Sequence, residues 1–341
     1  MKLKELLKNI PVLYCNADPE LEISEVHYDS RKVTEGSLFV AVTGFASDGN
    51  RFIPMALSKG AVAVVTAKKP EEDIPYILVE SDRLALALLG CNFYGHPAKS
   101  MTMIGVTGTN GKTSTTLLLK QVLEKVLGAK VGLIGTMANM VGDEEIPTER
   151  TTPESFDLQG LFAQMRDAHC SHMIMEVSSH ALSLERVGGV HYDVAAFTNL
   201  SEDHLDFHGT MESYCDAKAE LFARCDKAVA NCDDPWFDRV TAKARCSVLR
   251  TSVAGTGDLC MAIDHGDLTS LHELLHALAQ FFHHLGLMGV HGCEVEGVLA
   301  RPVEKRVGAE AVALEVLHRH GAAALHAERP VEDVDVVRAP V

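Results

Sequence analysis

A glycine-rich loop constrains this chain more than any other feature. Gly105-Val106-Thr107-Gly108-Thr109-Asn110-Gly111-Lys112-Thr113 joins the apolar run Met101–Val106 to a segment with Leu118, Val122 and Val126 at helical spacing. A buried strand, a tight turn and a helix must therefore follow one another. Gly128 is placed to stop the helix, and Val131–Ile134 reads as the next strand. Further apolar runs at Met173–Val177, Val194–Phe197 and Ala228–Ala230 continue the rhythm. Alternating strands and helices imply an α/β fold with a mostly parallel sheet covered on both faces. Within the loop, glycines let backbone N–H groups curl around phosphate oxygens, and the helix N-terminus adds a positive dipole end. The stretch Gly108, Thr109, Asn110, Gly111, Lys112, Thr113 and Ser114 is thus expected to bind ATP, with Lys112 at the β and γ phosphates and the Thr113 hydroxyl on Mg²⁺. The competing reading is a glycine turn that merely caps a helix. It accounts less well for a loop that both follows a buried strand and opens an amphipathic helix.

The chain divides into three segments. Residues 1–97 alternate short apolar runs (SLFVAV, AVAVVTA, YILVE) with Gly, Asp and Pro turns, and end at the linker Tyr94-Gly95-His96-Pro97. They read as a small N-terminal α/β domain. Residues 98–264 read as the central nucleotide-binding domain, expected to be incomplete. Residues 265–341 differ in kind. They hold no Ile, Tyr, Trp or Asn, one lysine (Lys305), and nine of the seventeen histidines. Thr269–Leu285 could be one helix; the remainder has weak periodicity. This composition reads as an out-of-frame or disordered tail, with an idiosyncratic natural domain as the alternative.

Charge narrows the partners. Lys plus Arg number 31 against 47 Asp plus Glu, a formal net charge of −16. Such a surface repels nucleic acid, so phosphate chemistry must come from a local site. No apolar run approaches the roughly 18 residues of a membrane span, and the N-terminus lacks a signal-peptide core. Nine cysteines with no CxxC pair read as reduced, mostly buried thiols in a cytoplasmic protein.

Two loops after apolar strands carry acidic chemistry. Glu176 closes the strand Met173–Val177 and precedes Ser178-Ser179-His180; ligands of open α/β sheets collect at such strand ends. After the next strand come Glu202, Asp203, His204, Asp206 and His208. On charge alone, a solvated loop and a cation site explain these residues equally. Beside a phosphate loop the cation reading gains, and Mg²⁺ prefers oxygen, which favours Glu176 with His204 as an accessory ligand.

The residues then carry a family. Gly108–Thr113, the Thr151-Thr152-Pro153 turn, Glu176–His180 with Arg186, Asn199 through Gly209, and Asn231-Cys232-Asp233-Asp234 resemble the Mur ligases in order and spacing, specifically the tripeptide-synthetase type. Asp29-Ser30-Arg31, with Gly36–Ala41 and Gly49 downstream, is similar to the uridine-nucleotide domain of those enzymes. The resemblance covers about residues 1–250. It implies that Ser30 contacts a UDP-sugar, that Thr151, Thr152, Ser178 and Arg186 contact the sugar-peptide, and that Lys218 is carried as a carbamate. Lys112, Glu176, His204 and Lys218 would then be catalytic, with Thr113, Glu176, His204 and Lys218 around the metal. From its neighbours in sequence alone, Lys218 reads as a solvated helix lysine. Two departures stand out: Arg150 directly before the Thr-Thr-Pro turn, and Phe45 where some relatives have histidine.

The reaction so implied is ATP- and Mg²⁺-dependent ligation of a diamino acid, lysine or meso-diaminopimelate, to UDP-MurNAc-L-Ala-D-Glu through an acyl phosphate, by a monomer in peptidoglycan synthesis. The family's third domain, which holds the amino acid, has no recognisable counterpart after residue 265, so impaired turnover is expected. The alternatives are a nucleotide- and UDP-sugar-binding fragment without turnover, or another Mur or folylpolyglutamate-type ligase.

Overall fold

A computed structural model describes residues 1–44, 48–148 and 150–260. Phe45, the Thr269–Leu285 helix and every expectation for 265–341 lie outside the described residues.

The first sheet is built from β1 (Val12–Cys15), β2 (Val26–His27), β3 (Ser37–Ala41), β4 (Ala61–Thr66) and β5 (Tyr76–Val79), in the order β1-β5-β4-β3-β2. Only the β1–β5 pair is antiparallel. The apolar runs of the sequence fall on β3, β4 and β5. All five residues of β3 are buried, as a central parallel strand requires. Helices α1 (Leu3–Leu6), α2 (Ile53–Ser58) and α3 (Asp82–Phe93) cover this sheet; Ser81 caps α3 by accepting the Leu84 N–H at 3.1 Å.

The second sheet holds β6 (Thr102–Thr107), β7 (Val131–Ile134), β8 (Asn139–Val141), β9 (Glu144–Ile146), β10 (His172–Glu176), β11 (Tyr192–Phe197), β12 (Cys225–Asn231), β13 (Val248–Ser252) and β14 (Leu259–Cys260). Its order is β14-β13-β12-β11-β6-β10-β7-β8-β9, with only β8 and β9 antiparallel to their neighbours. Helices α4 (Lys112–Leu127), α5 (Ser155–Asp167), α6 (Ser179–Ser183), α7 (Leu205–His208), α8 (Met211–Phe222) and α9 (Phe237–Thr241) supply the covering layers. Because β6, β7, β10 and β11 run parallel, their carboxyl ends open onto one edge. β6 lies centrally between β10 and β11, and ligands of open α/β sheets bind outside such strand ends.

The helix expected after Lys112 is present and ends at Gly128 in the left-handed region. Its buried face differs from the expected stripe. Thr116, Leu119, Lys120, Val122 and Leu123 are buried, while Leu118 and Val126 are only half-buried. The apolar periodicity missed this rotation because Lys120 enters the buried face, its ammonium paired to Glu124 at 2.5 Å one turn on.

The two sheets meet through α3 and α5. Phe93 and Tyr94 stack against Phe156 at centroid distances of 5.6 and 5.3 Å, and Tyr28 donates to Asp157. These aromatic contacts bring the first half of the chain against the start of α5, next to the Thr-Thr-Pro turn.

Candidate functional site

The phosphate loop leaves β6 at Gly108, whose φ is +148°. A Cβ there would stand 1.9 Å from Thr198 Oγ1, so only glycine fits. The loop is then laced to the end of β11. Thr109 N–H donates to the Asn199 carbonyl at 2.8 Å, Asn110 N–H to Asn199 Oδ1 at 3.0 Å, and Thr198 Oγ1 to the Asn110 carbonyl at 2.7 Å. Asn231 and Asp234 brace the same segment, donating to the Thr198 carbonyl at 3.0 Å and accepting from Leu200 N–H at 2.8 Å. The Asn-Cys-Asp-Asp motif therefore supports the loop from the next strand over.

Two lysines converge on that loop. Lys112 Nζ donates to the carbonyls of Gly108 and Thr109 at 2.9 and 2.8 Å; Lys218 Nζ donates to the same Gly108 carbonyl at 2.8 Å. Burial lowers the Lys112 ammonium below its ordinary value, opposed by Glu176 and Asp203. Lys218 is held well below the usual lysine range, first by burial and then by Lys112, against Asp203. With 1% of its surface exposed, Lys218 is not the solvated lysine that its place in the sequence suggests. It lies over the Tyr214 ring at 4.4 Å, and both residues come from the buried face of α8.

Glu176 is 1% exposed at the carboxyl end of β10. Its Oε2 accepts from Thr113 Oγ1 at 3.1 Å and Thr136 Oγ1 at 3.0 Å, and its Oε1 from Thr136 N–H at 3.0 Å. Gly135 makes room, since a Cβ there would meet Oε1 at 2.5 Å. A hydroxyl beside a carboxylate is a hard-oxygen pair of the kind Mg²⁺ takes, so Thr113 and Glu176 fit that ion. No group of three or more His, Cys, Asp or Glu side chains is arranged to hold a metal among the described residues. His204 pairs Nε2 with Asp203 at 3.4 Å and stands edge-on to His180, 4.8 Å between centroids.

The substrate residues expected near the Thr-Thr-Pro turn come together. Thr152 Oγ1 donates to the Glu176 carbonyl at 2.9 Å and lies 3.5 Å from Ser178 Oγ; Arg186 Nη1 donates to the Thr152 carbonyl at 3.3 Å. Thr151 reaches the group through Thr136 at 3.0 Å. Glu154 accepts ion pairs from Arg83, Arg150 and Arg186 at 3.8, 3.9 and 3.6 Å. Arg150 thus belongs to a guanidinium cluster around one carboxylate. Ser30 stands apart in the first half of the chain, its Oγ 3.4 Å from Met55 Sδ.

Sequence reasoning missed Thr136 and Asn199's lacing role, and gave His208 no separate part. His208 shares a 2.9 Å hydrogen bond with Ser179 Oγ. Its imidazole is pushed down to about 4 by burial, then by His180, Lys218 and His204, with Asp206 opposing. An unfolded histidine titrates near about 6.5. Between that value and about 4 the unfolded state takes up a proton that the folded state refuses, so stability falls as pH falls through this window. The stability of the wild-type chain relative to His208→Gln, from urea unfolding, should therefore shrink on acidification from neutral pH. A constant or widening difference contradicts this origin.

Known proteins resemble this chain in sequence and fold. Residues 106–292 match the Mur ligase middle domain, and residues 22–94 match the Mur ligase family catalytic domain. The chain is 44% identical over 265 residues to the UDP-N-acetylmuramoyl-L-alanyl-D-glutamate–2,6-diaminopimelate ligase of Clostridium botulinum, covering 76% of this chain and 54% of that one. The ligase of the same name from Geobacillus thermodenitrificans is 48% identical over 254 residues, covering 71% and 52%. A solved structure of a UDP-N-acetylmuramoyl-L-alanyl-D-glutamate–2,6-diaminopimelate ligase superposes with a TM-score of 0.64 at 27% identity, covering 76% of this chain and 54% of that one. The chain belongs to the Mur ligase family. It spans about half the length of the curated relatives it matches.

Proposed function

We propose that this chain carries the nucleotide and sugar-peptide sites of an ATP-dependent ligase that joins 2,6-diaminopimelate to UDP-MurNAc-L-Ala-D-Glu in the cytoplasm. The γ-phosphoryl group of ATP passes to the side-chain carboxylate of D-Glu, giving an acyl phosphate and ADP. The amine attacks the acyl carbon, the C–O bond breaks, phosphate leaves and the amine loses a proton. The choice of diaminopimelate follows the names of relatives 44% and 48% identical.

Catalysis of phosphoryl transfer is largely positioning and charge neutralisation. Lys112, the loop N–H groups and the N-terminus of α4 hold the phosphates. Thr113 and Glu176 would hold Mg²⁺, which when bound neutralises phosphate charge, with Lys218 as a carbamate and His204 beside them. Thr151, Thr152, Ser178 and Arg186 hold the sugar-peptide, and Ser30 its uridine end.

The observation that carries the reading is Glu176, which accepts from the phosphate-loop hydroxyl of Thr113 on one side and, through Thr136, adjoins Thr151 on the other. One carboxylate thus stands between the two sites whose ligands must react. Calorimetry with Mg·AMPPCP and with UDP-MurNAc-L-Ala-D-Glu tests it, followed by chromatographic assay for the tripeptide product with 2,6-diaminopimelate. Binding of both ligands is expected; failure to bind the sugar-peptide overturns the reading.

A further inference from the structure

Thr136, immediately after β7 and Gly135, belongs to no motif, yet its hydroxyl joins the Glu176 carboxylate to the Thr151 hydroxyl. We infer that Thr136 is a positioning residue that carries a directed hydrogen-bond chain from Thr151 to the Glu176 carboxylate, and that Thr151 consequently meets its ligand as an acceptor. The inference rests on the proposed assignment of Glu176 to the metal-nucleotide and Thr151 to the sugar-peptide.

The direction follows from counting protons. A carboxylate only accepts, and a threonine hydroxyl has one proton to give. The Thr136 proton is committed to Glu176 Oε2 at 3.0 Å, so at the 3.0 Å contact with Thr151 the Thr136 oxygen accepts and Thr151 donates. With its own proton spent inward, Thr151 offers outward only lone pairs. Such a group takes an N–H or O–H, which selects an amide or hydroxyl of the sugar-peptide over one of its carboxylates. Hydrogen bonds in series polarise one another, so the charge on Glu176 makes Thr151 a better acceptor.

Thr136 also orients the carboxylate. Its N–H holds Oε1 and its hydroxyl holds Oε2, both at 3.0 Å, which leaves Oε2 facing the Thr113 hydroxyl at 3.1 Å. Loss of the Thr136 hydroxyl should therefore be felt at both ligand sites. Thr136 is exposed, so Thr136→Val keeps the shape and the N–H contact without opening a core cavity.

The test measures three calorimetric affinities on the full chain: Mg·AMPPCP, AMPPCP in EDTA, and UDP-MurNAc-L-Ala-D-Glu. For Thr136→Val the first and third should weaken about five- to tenfold, the scale of one hydrogen bond to a charged group screened by solvent. Metal-free AMPPCP, which reads the phosphate loop without the cation, should keep its wild-type affinity. Thr136→Ser should restore all three. Wild-type affinities throughout in Thr136→Val, or a Thr136→Ser variant as weak as the valine, overturn the inference. If the wild-type chain binds neither ligand, the proposed function fails instead. The hydrogen-bond chain is then read without ligand, by urea unfolding of Thr136→Val, Thr151→Val and the double variant. The double variant should cost less than the sum of the singles, and strict additivity overturns the chain.

Discussion

Lys112→Ala should lose Mg·ATP affinity on the order of a hundredfold while the chain stays folded. Among the described residues Lys112 Nζ forms no ion pair; it folds back on the carbonyls of Gly108 and Thr109, inside the loop that would receive the phosphates. Those two bonds are replaceable by phosphate oxygens, and charge-assisted hydrogen bonds contribute about 1.5–3 kcal/mol each. The loop itself does not depend on the ammonium. Thr198, Asn199 and Ser201 hold it through the Asn110 carbonyl, the Asn110 and Thr109 N–H groups and the Thr109 hydroxyl. Calorimetry with Mg·ATP reads the affinity, and urea unfolding reads the fold. Unchanged affinity in Lys112→Ala removes Lys112 from the nucleotide site.

The lacing of that loop shows where sequence reading stops. The parallel core was legible because each buried strand had to be an apolar run: Val131–Ile134 was read to the residue, and β6, β10 and β11 to within a residue or two at either end. The phosphate loop was legible because glycine has few other reasons to recur between a strand and a helix. Asn199 bonding to Asn110 bridges 89 positions, and Thr136 reaching Glu176 bridges 40, so no local pattern announces either. The same holds for Lys218. On α8 it looks like any helix lysine, and only the packing of Tyr214 and the Gly108 carbonyl around it reveals a buried amine. The family resemblance pointed to Lys218, whereas composition and periodicity pointed away. His204 was legible only as one polar residue of an acidic loop; its contacts with Asp203, His180 and Tyr214 come from packing that no local pattern announces.

Lys218 should take up carbon dioxide. The Gly108 carbonyl accepts from both Lys218 and Lys112, so two ammonium groups would crowd one oxygen in a site from which water is largely excluded. Burial and Lys112 both hold the Lys218 ammonium well below its ordinary range, which favours the neutral amine. A neutral amine adds to CO₂ through nitrogen, forming the C–N bond of a carbamate and releasing one proton. The product replaces a repelled cation with an anion facing Lys112, so the electrostatic sign of the pair reverses from repulsion to attraction. It also supplies hard oxygen atoms close to the phosphate loop, of the kind Mg²⁺ prefers. Incubation with ¹³C-bicarbonate and Mg·AMPPCP should give one carbamate carbonyl resonance that is absent in Lys218→Ala. Acidification should erase it, because protonated carbamates lose CO₂. Lys218→Ala should weaken Mg·AMPPCP by roughly tenfold or more, the scale of a lost charged ligand, and acetate should restore part of it by occupying the vacated space. A wild-type chain that binds Mg·AMPPCP yet shows no ¹³C label would leave Lys218 as a buried neutral amine on Gly108 and end the carbamate assignment.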